Sequence, residues 1–305
     1  MRVLFVYCGN RMGVPLIAKN QGDSLVDVGV DVVYYMIKGK GIKGYLSNVF
    51  PLRRYLKENK FDFVHAHFSL TAFVVSLAGA KPLVVSLMGS DVKSSFFYKT
   101  LIRVFAFLFS WRSIIVKSQD MYEDLGIKRA QIIPNGVNVD RFKVLNKLEC
   151  QDKLGWDKTK KHILFPANAE RREKNYQLAL AAVAFLQNPQ LEIHSLNNVA
   201  NEEMPIWYNA ADVVLMTSLW EGSPNAIKEA MACCRPIVCT DVGDVAWLLA
   251  GVNNCYVAKH EVEDVADKLI QAFKGLNSTN GLDRIIKLDL EEKQVANKLL
   301  QIYKK

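Results

Sequence analysis

Two acids set eight residues apart are the first candidates for chemistry in this chain. In TSLWEGSPNAIKEAMACCRPIV, Thr217 to Val238, Glu221 falls in a loop and Glu229 in the segment after it. Ser223 is a good helix cap and Pro224 suits a first helical position, which predicts a helix over 225–233. The free N–H groups and positive dipole end of such a helix make an anion site. Glu221 before the cap and Glu229 more than a turn inside could accept hydrogen bonds from hydroxyls on either side of a bound phosphate. A molecule with sugar, diphosphate and ribose in line has that layout. The competing structural reading puts Glu229 in an exposed salt bridge with Lys228 or Arg235.

Two further stretches follow predicted strands. In FPANAERREKNYQLA, Arg171, Arg172 and Lys174 cluster at the mouth of a predicted helix over 174–186. Guanidinium and ammonium groups there would suit a diphosphate, although a solvated helix start would show the same charges. In YCGNRMGVP, Gly9 and Gly13 would let backbone approach a ligand closely. The stretch is not the G-x-G-x-x-G dinucleotide pattern, so Asp31 further on carries little weight. His65 and His67 flank Ala66 and share a face by strand alternation. As a metal pair they lack a third ligand, so structural roles are expected. Phe96, Phe97, Tyr98, Phe105, Phe107, Phe109 and Trp111 are expected mostly in the core, some of them forming a greasy rim beside Lys99 and Arg103.

Something must position these residues. A chain of 305 residues accommodates two domains of about 150 each. No apolar run reaches the roughly 18 residues of a membrane span. The N-terminal MRVLFVYCGN has too short an apolar run for a signal peptide and predicts a strand. Six cysteines without a C-x-x-C pair suggest a reducing cytoplasm, not disulfides or zinc. Near-continuous apolar runs over 3–7, 30–36, 63–67, 83–87 and 113–117 predict strands buried on both faces of a parallel sheet. A second series runs over 163–166, 191–195, 213–217 and 236–240, with a weak fifth at 255–257. Helical segments lie between, which predicts α/β architecture with two doubly wound domains. The turn residues Pro134, Asn135 and Gly136 mark the break, and apolar spacing over 283–303 predicts one terminal amphipathic helix. Residues 1–143 hold 20 Lys/Arg against 10 Asp/Glu, a net of +10 where the whole chain is +8. The first half is thus expected to face something anionic.

The motifs resemble those of the retaining family-4 glycosyltransferases, which have the GT-B fold. EGSPNAIKEAMACCRPIV with TDVGDV resembles the family's E-x7-E motif and the turn after it. FDFVHAHFSLTAFVVSLAGAKPLVVSLMGSDV, VKSQDMYEDLGIKRAQIIPNGVNVDRF and FPANAERREKNYQLALAAV resemble its other segments, so the likeness runs from residue 1 to about 275. The resemblance implies two Rossmann-like domains facing across a cleft. Residues 1–140 would bind the acceptor, residues 141–280 would bind the donor, and 281–305 would be a helix packing back toward the N-terminal domain.

It also implies roles. Glu221 would contact the donor sugar near the reacting carbon, and Glu229 would hold the ribose hydroxyls. Arg171 and Lys174 would neutralise the departing diphosphate, helped by Ser223 and the backbone N–H groups of Asn225 and Ala226. Gly13 would sit against the phosphate. No D-x-D sequence occurs, so no metal and no cofactor beyond the nucleoside diphosphate sugar is expected. The family often has His in its H-G-x-D turn. Here Met88 stands there and cannot accept a proton, which leaves Asp91 as the nearest polar group on the acceptor side. Cys234 replaces a usual glycine and reads as a packing variant.

The expected activity is metal-independent, retaining sugar transfer to a glycan or lipid-linked acceptor in cell-surface polysaccharide or glycolipid synthesis. The location implied is the cytoplasm, with the basic N-terminal half against an anionic membrane surface. The alternatives are a GT-B sugar-nucleotide epimerase and a non-catalytic nucleotide-sugar or anionic-ligand binding protein. A nucleic-acid partner is not expected, because no helix-turn-helix, zinc or RNA-binding aromatic motif occurs.

Overall fold

The computed structural model describes residues 1–9, 13–92 and 96–304. It divides into two compact units, Met1–Gly136 joined by the segment from Glu292 onward, and Val137–Glu291. The division falls four residues before the boundary expected at 140.

The first unit holds a six-stranded parallel sheet: β1 (Arg2–Cys8), β2 (Asp31–Ile37), β3 (Phe63–His67), β4 (Leu83–Ser86), β5 (Ser113–Val116) and β6 (Gln131–Ile132). The spatial order is β2-β1-β3-β4-β5-β6. Val3, Leu4, Phe5 and Val6 are wholly buried, as central strands covered on both faces require. The short β6, just before the expected interdomain turn, is a strand the sequence reading does not include; it is two residues long and pairs with β5.

The second unit holds a five-stranded parallel sheet: β7 (Lys161–Phe165), β8 (Leu191–Ser195), β9 (Val213–Met216), β10 (Ile237–Thr240) and β11 (Cys255–Ala258). Its order, β11-β10-β9-β7-β8, repeats the winding of the first sheet. In each, the first strand lies between the second and third, so successive connections leave in opposite directions at that point. The crevice outside the carboxyl ends there is where such sheets bind ligands.

The single helix expected over 283–303 is two, Gly281–Lys287 and Glu292–Lys304. Asp289 adopts φ 52, and the Val137 N–H donates to the Leu290 carbonyl at 2.9 Å. Ile285 and Leu290 bury in the core of the second unit, whereas Val295, Leu299, Ile302 and Tyr303 bury against β1 and β4 residues of the first. One apolar stripe therefore serves two cores, which a periodicity reading merges. All six cysteines are free.

Candidate active site

In the second unit, the crevice between β7 and β9 collects most of the candidate residues. The loop after β9 carries Glu221. Its carboxylate Oε1 pairs with the Lys174 ammonium and accepts from Ser218 Oγ at 2.9 Å. Lys174 ends a short 3-10 turn, Arg172–Lys174, on the loop after β7. The two loops are stitched together: Thr217 Oγ1 donates to the Asn175 carbonyl at 2.9 Å, and the Leu219 N–H donates to the Glu173 carbonyl at 2.8 Å. From the other side, Thr240 Oγ1 at the end of β10 donates to the Ser218 carbonyl at 2.7 Å, and His260 Nε2 meets the same oxygen at 2.8 Å. His260 was invisible as a site residue in the sequence because it acts through a backbone oxygen.

Gly243 fixes the same loop sterically. It has φ +61, and a Cβ there would lie 2.3 Å from the Gly222 carbonyl oxygen and 3.0 Å from that of Glu221. No L side chain fits without moving the backbone that carries Glu221.

The helix expected over 225–233 spans Asn225–Ala232. Pro224, not Ser223, is the residue before its first turn, and no side chain caps it. Ser223 Oγ instead accepts from Lys228 Nζ at 3.0 Å. Among the described residues, the helix start therefore leaves the N–H groups of Asn225 and Ala226 without a capping side chain, which suits an incoming anion. Asn225 Oδ1 is buried without a hydrogen-bond partner.

Glu229 is not in an exposed salt bridge. Its Oε2 accepts from the buried Tyr208 hydroxyl at 2.8 Å. Burial raises its carboxyl above the usual range, with the Tyr208 bond opposing. Lys228, which the sequence offers only as a surface partner, is fully buried beneath the helix start. Burial lowers its ammonium to about 8, while Asp244, Glu229 and Glu221 pull it back up. Arg171 departs from the expected pairing with Lys174. Its exposed guanidinium turns to Glu173, with Nη2 2.6 Å and Nε 2.8 Å from Oε1. Cys234 is more than a packing variant, because it takes φ 52 just after the helix, a conformation that favours glycine.

In the first unit the corresponding crevice, between β1 and β3, is a cavity of about 310 Å³. Tyr7, Cys8, Ile17, Tyr45, His67 and Met88 line it. Both ring nitrogens of His67 are buried without a hydrogen-bond partner, and burial, then Lys117, lowers the imidazole to about 3. His65, stacked on it at 4.6 Å, is structural: Nδ1 meets the Tyr303 hydroxyl at 2.6 Å and Nε2 meets Ser86 Oγ at 2.8 Å. The expectation of a structural role thus holds for His65 but misses that His67 faces a cavity.

Asp91 does not offer its carboxylate to a ligand. It is wholly buried and accepts from Ser69 N–H at 3.1 Å, Ser69 Oγ and Met88 N–H at 2.6 Å. Burial raises it to about 6 against those bonds. It shapes the turn that places Met88. Gly13, at φ +109 with open space about its Cα, lies in the exposed loop after β1, next to residues outside those described.

Several aromatics expected in the core are exposed. Phe96, Phe97 and Phe107 are open to solvent on the helix Phe96–Leu108, whereas Trp111 is buried. Lys99 and Arg103 do not flank a rim freely: Lys99 pairs with Asp124 at 3.6 Å, and Arg103 Nε donates to the Leu125 carbonyl at 2.8 Å.

A doubly wound pair of parallel sheets, with acids and cations gathered outside the carboxyl ends of one of them, fits the GT-B architecture. Comparison with known proteins agrees. The family model described as "Glycosyltransferase Family 4" matches residues 4–141, and that described as "Glycosyl transferases group 1" matches residues 179–274. The chain belongs to the group 1 glycosyltransferases.

TuaC of Bacillus subtilis (strain 168), a glycosyltransferase named for teichuronic acid biosynthesis, is 24% identical over 234 residues, covering 68% of this chain and 60% of TuaC. The UDP-Gal:alpha-D-GlcNAc-diphosphoundecaprenol alpha-1,3-galactosyltransferase of Escherichia coli is 24% identical over 301 residues, covering 84% of this chain and 75% of that one. The match thus spans less than two thirds of TuaC. Sucrose-phosphate synthase from Thermosynechococcus elongatus shares the fold, with a TM-score of 0.83 at 14% identity over 100% of this chain and 98% of that one.

Proposed function

We propose that the protein transfers a sugar from a nucleoside diphosphate sugar, with uridine diphosphate the first nucleotide to test, to a glycan or lipid-linked acceptor in polysaccharide synthesis. The observation that carries the reading is the Glu221–Lys174 pair beside the open helix start at Asn225, with Glu229 further along the same helix. A diphosphate lying on the Asn225 and Ala226 N–H groups would have Lys174 on one side and the buried Lys228 ammonium behind it. Charge building on the leaving diphosphate would meet donors already oriented. The sugar would then lie toward Glu221 and Ser218, and the ribose toward Glu229. Arg171 would join only by exchanging Glu173 for the diphosphate.

In this reading the glycosidic bond to the diphosphate breaks and the bond to the acceptor oxygen forms on the same face, with retention. The donor cations do the work of a metal, so none is needed for turnover. Uridine named in the galactosyltransferase relative supports the nucleotide, and its diphosphoundecaprenol acceptor supports a lipid-linked one. The cavity beside His67 is the acceptor side. Burial keeps the His67 imidazole neutral, and an acceptor hydroxyl that reached its buried, unpartnered ring nitrogens would find an acceptor there.

Membrane docking belongs to the same proposal. Ile42, Leu46 and Phe50 are exposed beside the exposed Lys38, Lys40, Lys43, Arg53, Arg54 and Lys57. No helix among the described residues is long and apolar enough to cross a membrane. Attachment would be to the anionic surface.

The test is thermal shift with uridine diphosphate and its sugars, followed by product analysis. Stabilisation by a donor, release of the nucleotide on adding an undecaprenyl-linked acceptor, and an α-linked product from an α-linked donor are expected. Turnover abolished by EDTA and restored by magnesium or manganese would refute metal independence. An inverted product would refute retention, and a protein that binds donor without turnover would favour the non-catalytic reading.

A further inference from the structure

We propose that His162, Glu192 and His194 form a binding site for a divalent transition metal of the zinc type, at the edge of the second sheet. The three side chains come from adjacent strands. His162 is paired in register with Glu192 across β7 and β8, and His194 follows Glu192 by two residues, so all three project from one face. Their potential ligand atoms converge. His162 Nδ1 and His194 Nε2 lie 3.0 Å apart, and Glu192 Oε2 is 3.6 Å from the first and 3.9 Å from the second.

Those separations are the argument. Zinc bound to nitrogen and carboxylate oxygen at about 2.0–2.2 Å in a tetrahedron separates its ligand atoms by roughly 3.3–3.5 Å. The three observed separations straddle that span, so a metal fits with small rotations of the Glu192 side chain and the two rings. The fourth position would face outward to water, since His194 and Glu192 are partly exposed while His162 is wholly buried. A path for entry therefore exists.

The surroundings orient the ligands. His162 Nε2 lies 2.8 Å from the Asp157 carbonyl, to which it must donate. That bond sets the tautomer and leaves Nδ1 with its lone pair toward the site, a support common to metal-binding imidazoles. The present contact between the rings then requires His194 Nε2 to carry the proton. Metal would take its place, and that proton would move to His194 Nδ1, so none need be released from the imidazoles. Trp156 stacks on the His194 ring at 3.7 Å and 10°, and Trp207 meets Trp156 edge-on at 5.7 Å, which holds the ring in place. Lys160 engages Glu192 Oε1 and leaves Oε2 to the site.

The site is not part of the sugar-transfer chemistry. His162 and Glu192 are the second residues of their strands, at the amino ends, while Glu221 and Lys174 follow the carboxyl ends. A metal here would clamp the edge strand β8 to β7. It does not conflict with metal-independent turnover, because its effect would be on the stability of the second unit.

The experiment is a titration of the full chain with cobalt(II), read by visible d–d absorption, and with zinc, read by competition with a chromophoric chelator. His194→Gln and Glu192→Gln are the variants; both positions are partly exposed, which keeps the fold intact, whereas His162 is core. We expect one metal per chain, without thiolate charge-transfer bands, and zinc affinity falling by at least about 10-fold in each variant. Lys160→Met should tighten binding by about 2- to 5-fold, since it frees Glu192 from a competing partner. Zinc should raise the melting temperature of the wild type and not that of His194→Gln. Equal zinc affinity in wild type and in a variant combining His194→Gln with Glu192→Gln, or spectra dominated by thiolate bands, would overturn the proposal. So would a wild type that takes up neither metal.

Discussion

Replacing Gly243 with alanine should disable the candidate site without altering any side chain assigned to the donor. Two penalties fall on that substitution. One comes from the backbone: φ +61 costs an L residue about 1–2 kcal/mol. The other is a collision, since the new Cβ would stand 2.3 Å from the Gly222 carbonyl oxygen and 3.0 Å from that of Glu221. Neither carbonyl belongs to a flexible side chain, so the Glu221 loop itself must shift. A displacement near 1 Å at a positioned group costs about 100-fold in rate. Gly155 provides the control. It has φ +67 and nothing within 4 Å of a built Cβ, so Gly155→Ala carries the backbone penalty alone. Both variants should lose about 1–2 kcal/mol of stability in denaturant unfolding. Only Gly243→Ala should also lose donor turnover, by about 100-fold with the nucleotide still bound. The assay is nucleotide release at saturating donor, with thermal shift by uridine diphosphate as the binding check. Equal turnover in the two variants would show that the Glu221 loop does not carry the chemistry, or that it absorbs the collision without moving Glu221.

Further outcomes are expected for the two acids, for Lys228 and at the membrane surface. Glu221→Ala should lower turnover by about 100- to 1000-fold, because its contacts would strengthen as charge develops at the anomeric carbon. Glu229→Ala should instead raise the donor KM, by about 10- to 150-fold, since contacts to a ribose are the same in ground and transition states; single-turnover kinetics separate the two, and the reverse pattern means the donor lies the other way round. Lys228 has its proton weakened from the usual lysine range to about 8, so uridine diphosphate affinity should fall about tenfold per unit as pH rises through that value, and the fall should flatten in Lys228→Met. By linkage the same depressed group disfavours the folded state below pH 8 and is relieved between about 8 and its unfolded value, so a pH-stability profile of Lys228→Met should lack that rise. Vesicle sedimentation should show binding to anionic but not neutral lipid at low salt, weakened by Lys38→Glu with Lys43→Glu; equal sedimentation would remove the membrane proposal.

Much of the fold was open to reading because its strands are short, apolar and buried on both faces. β3 and β8 agree with their expected spans to the residue, and the other matched strands differ by one or two at an end. What periodicity could not show was the allegiance of a stripe. The spacing from Ile285 to Ile302 is helical throughout, yet Asp289 turns the backbone and sends its two halves into different cores. Type and spacing do not encode which sheet a helix covers. The same holds for charge. Lys228 sits between Ile227 and Glu229 in a run that reads as solvated, and only the folded packing around its helix takes the ammonium out of water. Asp91 shows the converse: a carboxylate that looks available in LMGSD is spent on two backbone N–H groups and a serine.

The candidate site was legible in part for a reason that lies in the winding of the sheets. A motif reader finds strand ends but not which two ends adjoin. In this chain the loops after β7 and β9 are some fifty residues apart in sequence, and Lys174 and Glu221 come together because β9 pairs with β7, not with β8. The repeated winding sets β1 beside β3 in the first unit, which opens the cavity by His67. In each unit the candidate crevice thus lies where the connections reverse. In the second, the loop residues there are held by backbone carbonyls of their neighbours: Thr217 on Asn175, Thr240 and His260 on Ser218. Side chains that bind carbonyls leave no motif, since any sequence supplies the acceptor. Glu221, Glu229 and Lys174 could therefore be picked out from the sequence as candidates, while the buried Lys228 and the residues that hold the loops together could be found only from the fold.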